Sequence, residues 1–309
     1  MKRSIVSLFA MIYFVSCSDN RPHPAIAFHA WGTAGSELGQ FTGPRGIAYG
    51  DKEIYVVDKS ARVQVFRTDG TPLRQWTLPD QTQGTPTTIR IQSDGEVWIP
   101  DTHNSRILVY TSQGDFKRTF GSHGREAGQF SFVTDVAHTP DGTFSICEYG
   151  FDDRVQQFKE DGTSVRIFGT HGRGPGELSR PMAMVYYPPG RLYVADAANH
   201  RIQCFSSEGE FLFLWGERGE LPGQFRYPYD LDIDAEGSIY VCEFGNHRIQ
   251  KFTPEGKYVA QWGMAGTGPG QLFGPWGVAV PPEGGRIFVA DTGNHRIAVF
   301  EIDGRSDAK

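Results

Sequence analysis

Six times along this chain an acidic residue closes an apolar run, a short polar loop follows, and a segment Arg-Ile/Val-x-x-Phe/Tyr begins. The copies are Asp58…Arg62-Val63…Phe66, Asp101…Arg106-Ile107…Tyr110, Glu148…Arg154-Val155…Phe158, Asp196…Arg201-Ile202…Phe205, Glu243…Arg248-Ile249…Phe252 and Asp291…Arg296-Ile297…Phe300. Their arginines are 44, 48, 47, 47 and 48 residues apart. That period is the length of one four-stranded blade, so the chain is expected to form one all-β domain, a six-bladed β-propeller of four-stranded antiparallel blades. The 38 glycines and the 13% aromatic share suit many short strands joined by tight turns.

The fifth repeat gives the plan of a blade. Residues 228–233 open as a strand, and Ala235-Glu236-Gly237 turns the chain. Residues 239–243 are β-branched and aromatic, as a second strand should be. Residues 248–252 make the third strand and residues 257–262 the outermost one. A glycine-rich crossing then leads to the next blade. The chain ends complete the count. Beyond Phe300 and the Asp303-Gly304 turn only five residues remain, so the sixth blade lacks an outer strand. The stretch Ile26 to Gly32 reads as an outer strand with no blade before it, and Trp31 stands ten residues ahead of Phe41, as Trp262 stands ten ahead of Leu272. The N-terminal strand is therefore expected to complete the sixth blade, which removes the open edges of a linear stack.

The segments Asn199-His200-Arg201-Ile202, Asn246-His247-Arg248-Ile249 and Asn294-His295-Arg296-Ile297, with crossings of the form Gly-x-x-x-Gly-Gln-Phe/Leu, resemble the NHL-repeat family. The resemblance covers residues 25 to 304 and implies a propeller scaffold. It leaves the activity open, because the family spans enzymes, sensors and binding modules. A more distant resemblance is to the peptidyl-hydroxyglycine amidating-lyase propellers. Their zinc histidines would fall on the residue after the first-strand proline. Here those positions are Arg45, Thr87, Thr134, Met182, Tyr229 and Trp276, with no histidine among them, so the zinc mechanism is not carried over.

The chain begins with a different kind of segment. Lys2 and Arg3 precede an apolar run from Ile5 to Val15, too short to span a bilayer and suited to a secretory signal. Phe14-Val15-Ser16-Cys17 resembles a bacterial lipoprotein cleavage box, with Phe14 where Leu is usual. We expect a signal peptide over 1–16, a lipidated Cys17 and linker over 17–24, the propeller over 25–304 and a tail over 305–309. The protein is then exported and anchored to the cell envelope, on the outer membrane of a two-membrane host because Ser18 is not the retention Asp, or else it is periplasmic or secreted. Apart from that anchor no membrane contact is expected. Cys147 and Cys242 occupy the same second-strand position of two blades, too far apart for a disulfide, so they and Cys204 are expected as free core residues.

A net charge of −6 disfavours nucleic acid as a partner. The repeated Asp/Glu–Arg pair reads as scaffold, since a catalytic residue is needed once. The loop histidines His103, His200, His247 and His295 likewise follow the repeat, and neither a metal nor a cofactor is expected. Two places break the pattern. One is the ring at the channel mouth: Arg45, Thr87, Thr134, Met182, Tyr229 and Trp276, with Asp135 and Asp230 beside it. Arg with Tyr and Trp suits a small anionic or aromatic ligand. The other is the irregular third-repeat loop, where Asp152 and Asp153, with His171 and Arg173 nearby, form a candidate partner face. The favoured reading is a monomeric scaffold or sensor that binds a protein or peptide, with no catalytic residue assigned. The alternative is a lyase or hydrolase at the mouth, with Tyr229 as base or Arg45 stabilising an anion.

Overall fold

The computed structural model describes residues 27–80 and 84–302. The leader, Cys17, the linker and the C-terminal tail lie outside the described residues. Six four-stranded antiparallel sheets follow one another around a central axis. In the fifth blade the strands are Pro228–Ile233, Ile239–Glu243, Arg248–Phe252 and Tyr258–Trp262, within one residue of the sequence expectation. The sixth blade pairs Gly277–Ala279, Arg286–Asp291 and Arg296–Glu301, and Ala27–Trp31 adds its outer strand, in register from Ala27 opposite Glu301 to Trp31 opposite Ile297. The ring is closed by its first strand.

The hydrophobic core lies between neighbouring blades. Tyr55, Val57 and Val63 of the first blade pack on Ile89, Val97 and Leu108 of the second. Phe288, Ile297 and Val299 of the sixth pack on Ile47, Val56 and Phe66 of the first. An aromatic at the end of each outer strand supports the next blade; Trp31 sits 4.4 Å from Phe66 between ring centroids, and Trp215 sits 5.8 Å from Phe252.

The repeated polar residues hold the crossings. Asp196 accepts bonds from the Arg201 Nε at 2.7 Å and from Asn199, while Arg201 donates to the carbonyls of Arg173, Gly174 and Glu177. Arg248 and Arg296 do the same for the next two crossings. Pairing these buried groups satisfies crossing carbonyls that the short pairing within the crossings leaves free. Three histidines act between blades. The Nδ1 atoms of His200, His247 and His295 accept the backbone N–H of Tyr227, Gly274 and Gly43 at 3.1, 2.8 and 3.1 Å. Among the described residues His103 makes no such bond, and it lies edge-on to Phe132. Cys147, Cys204 and Cys242 are free and buried.

The crossings and the loops between second and third strands share one face, here called upper. The hairpin turns form the lower face. In the second blade, where the preceding crossing lacks Gly-Gln-Phe, the inner strand shrinks to Arg90–Ile91.

Candidate functional site

The upper mouth of the channel is built by one irregularity repeated around the ring. Pro44 pairs with Asp58 and Gly46 with Val57, which leaves Arg45 as the extra residue of a bulge. Thr134, Met182 and Tyr229 are extra residues in the same way. A bulge re-aims one side chain out of the sheet pattern, here toward the axis.

These residues do not all become available. The Thr134 hydroxyl is fully buried and donates to the Pro181 carbonyl at 2.8 Å. Thr87 is buried against the Thr102 hydroxyl at 3.0 Å, and Met182 is buried in an apolar cluster with Tyr229. Three of the ring residues meet at the mouth. Tyr229 lies 4.7 Å from Trp276 between ring centroids, and the Arg45 guanidinium stands 4.7 Å over the Trp276 ring.

The structure adds residues that the ring position does not reveal. Phe244 stacks on Tyr229 at 5.0 Å. The Arg180 guanidinium lies 5.2 Å from the Tyr149 ring and 5.8 Å from the Tyr229 ring. The result is an arc of cations and aromatics: Arg45, Trp276, Tyr229, Arg180, Tyr149. Burial lowers the pKa of Arg45, with Tyr149 and Tyr229 acting in the opposite sense. Lys59 stands close enough that burial, and then the charge of Arg45, lower its pKa. Burial raises the phenol of Tyr229.

Asp135 and Asp230 do not open to the mouth. They bind Arg90, which projects from the second blade across the channel. Its Nε donates to Asp135 at 2.9 Å, and its Nη2 donates to Asp135 at 2.6 Å and to Asp230 at 2.7 Å. The same carboxylates tie adjacent inner strands, accepting the Met184 and Val278 backbone N–H groups at 2.8 and 2.9 Å. Burial works against the charge on Arg90, but Asp135 and Asp230 outweigh it and hold its pKa well above the usual value. For Asp230 burial wins: its pKa is pushed up to about 7, with Arg90 opposing and Asp135 adding. Burial likewise raises Asp232 to about 6. Arg90 and Asp232 border a cavity of about 180 Å³ near the lower ends of the inner strands. Asp135 and Asp230, placed beside the mouth ring by the sequence, instead form an ion triad centred on a guanidinium.

In the irregular loop of the third blade, Asp153 is buried and its carboxylate meets the His171 Nδ1 at 2.6 Å, so it is engaged within the fold. Asp152 lies 4.0 Å from Arg154. His171 and Arg173 are exposed. Phe151 beside them is 48% exposed and carries the Arg125 guanidinium at 4.7 Å.

Fold and mouth together define a closed six-bladed propeller with a channel crossed by an ion triad and capped by aromatics. An NHL-repeat family model matches residues 184–205, 225–252 and 274–300, so the last three blades of this six-bladed propeller carry NHL repeats. No curated protein matches it in sequence. Among solved structures it is similar to a streptogramin B lyase, at 13% identity and TM-score 0.64 over 90% of this chain and 98% of the other. It is also similar to virginiamycin B lyase from Staphylococcus aureus, at 15% identity and TM-score 0.62 over 89% and 99%. A Bacteroides thetaiotaomicron protein of unknown function aligns at 14% identity and TM-score 0.70 over 89% and 75%. Identities this low speak for the shared fold.

Proposed function

We propose that this protein is an exported, envelope-anchored binding module that holds a protein or peptide segment on its upper face, centred on the channel mouth. The observation that carries the reading is a rigid, closed ring whose upper face presents partly exposed Tyr149, Phe244 and Trp276, with Tyr227 39% and Phe273 53% exposed around them. Rigid aromatics offer contact area at small cost in side-chain entropy. The leader supports export, and the strand order supports an orientation. Ala27 pairs with Glu301 at the lower end of the sixth blade, so a tether at Cys17 joins the ring from below. The stretch from Cys17 to Ile26 reaches at most about 35 Å. The mouth then faces away from the membrane.

The enzyme reading has less support. A buried phenol with a raised pKa is a poor base, and Asp135 and Asp230 are engaged by Arg90. The test is selection of a displayed random-peptide library on the mature protein, followed by hydrogen exchange with the strongest peptide. Protection is expected in the crossings and second-to-third-strand loops. Protection confined to the lower hairpin turns, or no enrichment, overturns the reading.

A further inference from the structure

We infer that the segment bound at the mouth is acidic: a peptide carboxylate taken between Arg45 and Arg180, with a neighbouring planar group on Trp276 and Tyr229. This names the ligand chemistry of the site proposed above and rests on that reading. It starts from an imbalance of charge. The chain is net negative, and several of its buried arginines are paired with carboxylates: Arg62 with Asp58, Arg90 with Asp135, Arg201 with Asp196 and Arg248 with Glu243. Arg45, Arg180 and Lys59 form no ion pair among the described residues. Arg45 donates to the Thr85 hydroxyl at 2.9 Å and otherwise rests on Trp276; Arg180 rests on two tyrosines. The Nε atoms of Arg45 and Arg180, like that of Arg62, are buried and have no hydrogen-bond partner among the described residues. A buried donor without a partner is costly, and a guanidinium fork matches a carboxylate.

The backbone adds an independent observation. The residue before the first-strand proline is Gly43 in the first blade and Gly274 in the sixth, both with positive φ, at 62° and 55°. In the fourth and fifth blades the same position holds Arg180 and Tyr227, each at φ 53°. Glycine takes that conformation freely, whereas a larger side chain is strained there. Two blades thus accept strain at the place where a long cation and a tyrosine project over the mouth.

This separates function from stability. Arg180→Gly relieves the strain, so it should leave the melting temperature unchanged or raised, while it weakens ligand binding. The experiment is fluorescence anisotropy of the mature protein with two labelled hexapeptides, one carrying Glu and Asp beside a Tyr, the other its Gln/Asn counterpart. The acidic peptide should bind about tenfold more tightly than the amide one, as charge-assisted bonds replace neutral ones. Its affinity should fall between about 50 and about 500 mM salt. Arg180→Gly and Arg45→Gln should each abolish the preference, and Arg180→Lys should restore part of it. Equal binding of both peptides overturns the acidic ligand but leaves an upper-face site intact. A preference that survives Arg180→Gly and Arg45→Gln overturns the assigned residues. Binding of neither, with no peptide enriched in the library selection, overturns both readings.

Discussion

Replacing Arg90 with Met should destabilise the ring more than any surface change, and by an amount that depends on pH. The substitution removes three hydrogen bonds and leaves Asp135 and Asp230, both held by one Nη2, as unpaired neighbours in the channel. Breaking a buried ion pair from one side costs about 3–5 kcal/mol. Met keeps most of the volume, so little is added by a cavity. At about 2–4 °C per kcal/mol for a domain of this size, the melting temperature should fall by about 6–20 °C. Asp230 has a folded pKa of about 7, above its unfolded value near 3.9. It therefore favours the fold at low pH and loses that contribution as pH rises through about 7. Without Arg90 its carboxyl rises further. The deficit of the variant should thus be larger at about pH 8 than at about pH 5.5, where the carboxyls take up protons. Circular-dichroism melts of the mature protein and variant at both values measure this. A loss below about 1 kcal/mol, or one equal at the two pH values, would show that the triad does not carry the charge balance described.

Other expectations follow from the same geometry. Trp31→Ala removes the aromatic that joins the sixth blade to Phe41 and Phe66 of the first, and should cost about 2–4 kcal/mol in urea unfolding, since the site is half-buried. Burial lowers the pKa of His200 and His247; relative to an unfolded value near 6.5 their contribution is present above that pH and lost as pH falls below it, so His247→Phe should flatten the acid side of the stability profile. Burial pushes Cys147 and Cys242 far above the normal thiol range, so neither should react with a thiol reagent until the protein unfolds, which timed mass spectrometry can follow.

Much of the fold was legible because each repeat carries its own punctuation. The acidic residue near the end of the second strand and the arginine opening the third recur in every repeat, a Gly-Gln/Glu-Phe/Leu crossing recurs in five of the six, and the orphan strand ending in Trp31 had a single vacancy to fill. The mouth was legible only in part. Arg45, Tyr229 and Trp276 share one repeat position, so alignment of the repeats finds them. Arg180 comes from the residue before the proline, while Lys59, Tyr149 and Phe244 each directly follow the acidic residue near the end of the second strand of their own repeats. Those two repeat positions meet the ring position in space without sharing its phase. A signal was present all the same: Arg180 and Tyr227 stand where Gly43 and Gly274 stand in other blades. Arg90 was harder. It occupies the repeat position of Asp232, and nothing in spacing says that one long side chain crosses the channel to two other blades. Thr134 and Met182 show the converse, positions of the ring that packing has closed.

The proposed mouth exists only if the ring closes, because Arg45 belongs to the first blade and Trp276 to the sixth. Removing Ala27–Trp31 takes away the strand that pairs with Ile297–Glu301 of the sixth blade. The thermal unfolding of that truncated protein, beside the intact mature chain, is the most direct measurement. A large fall in melting temperature with loss of peptide binding is predicted; a truncated protein that melts and binds like the intact one contradicts a propeller closed by its first strand.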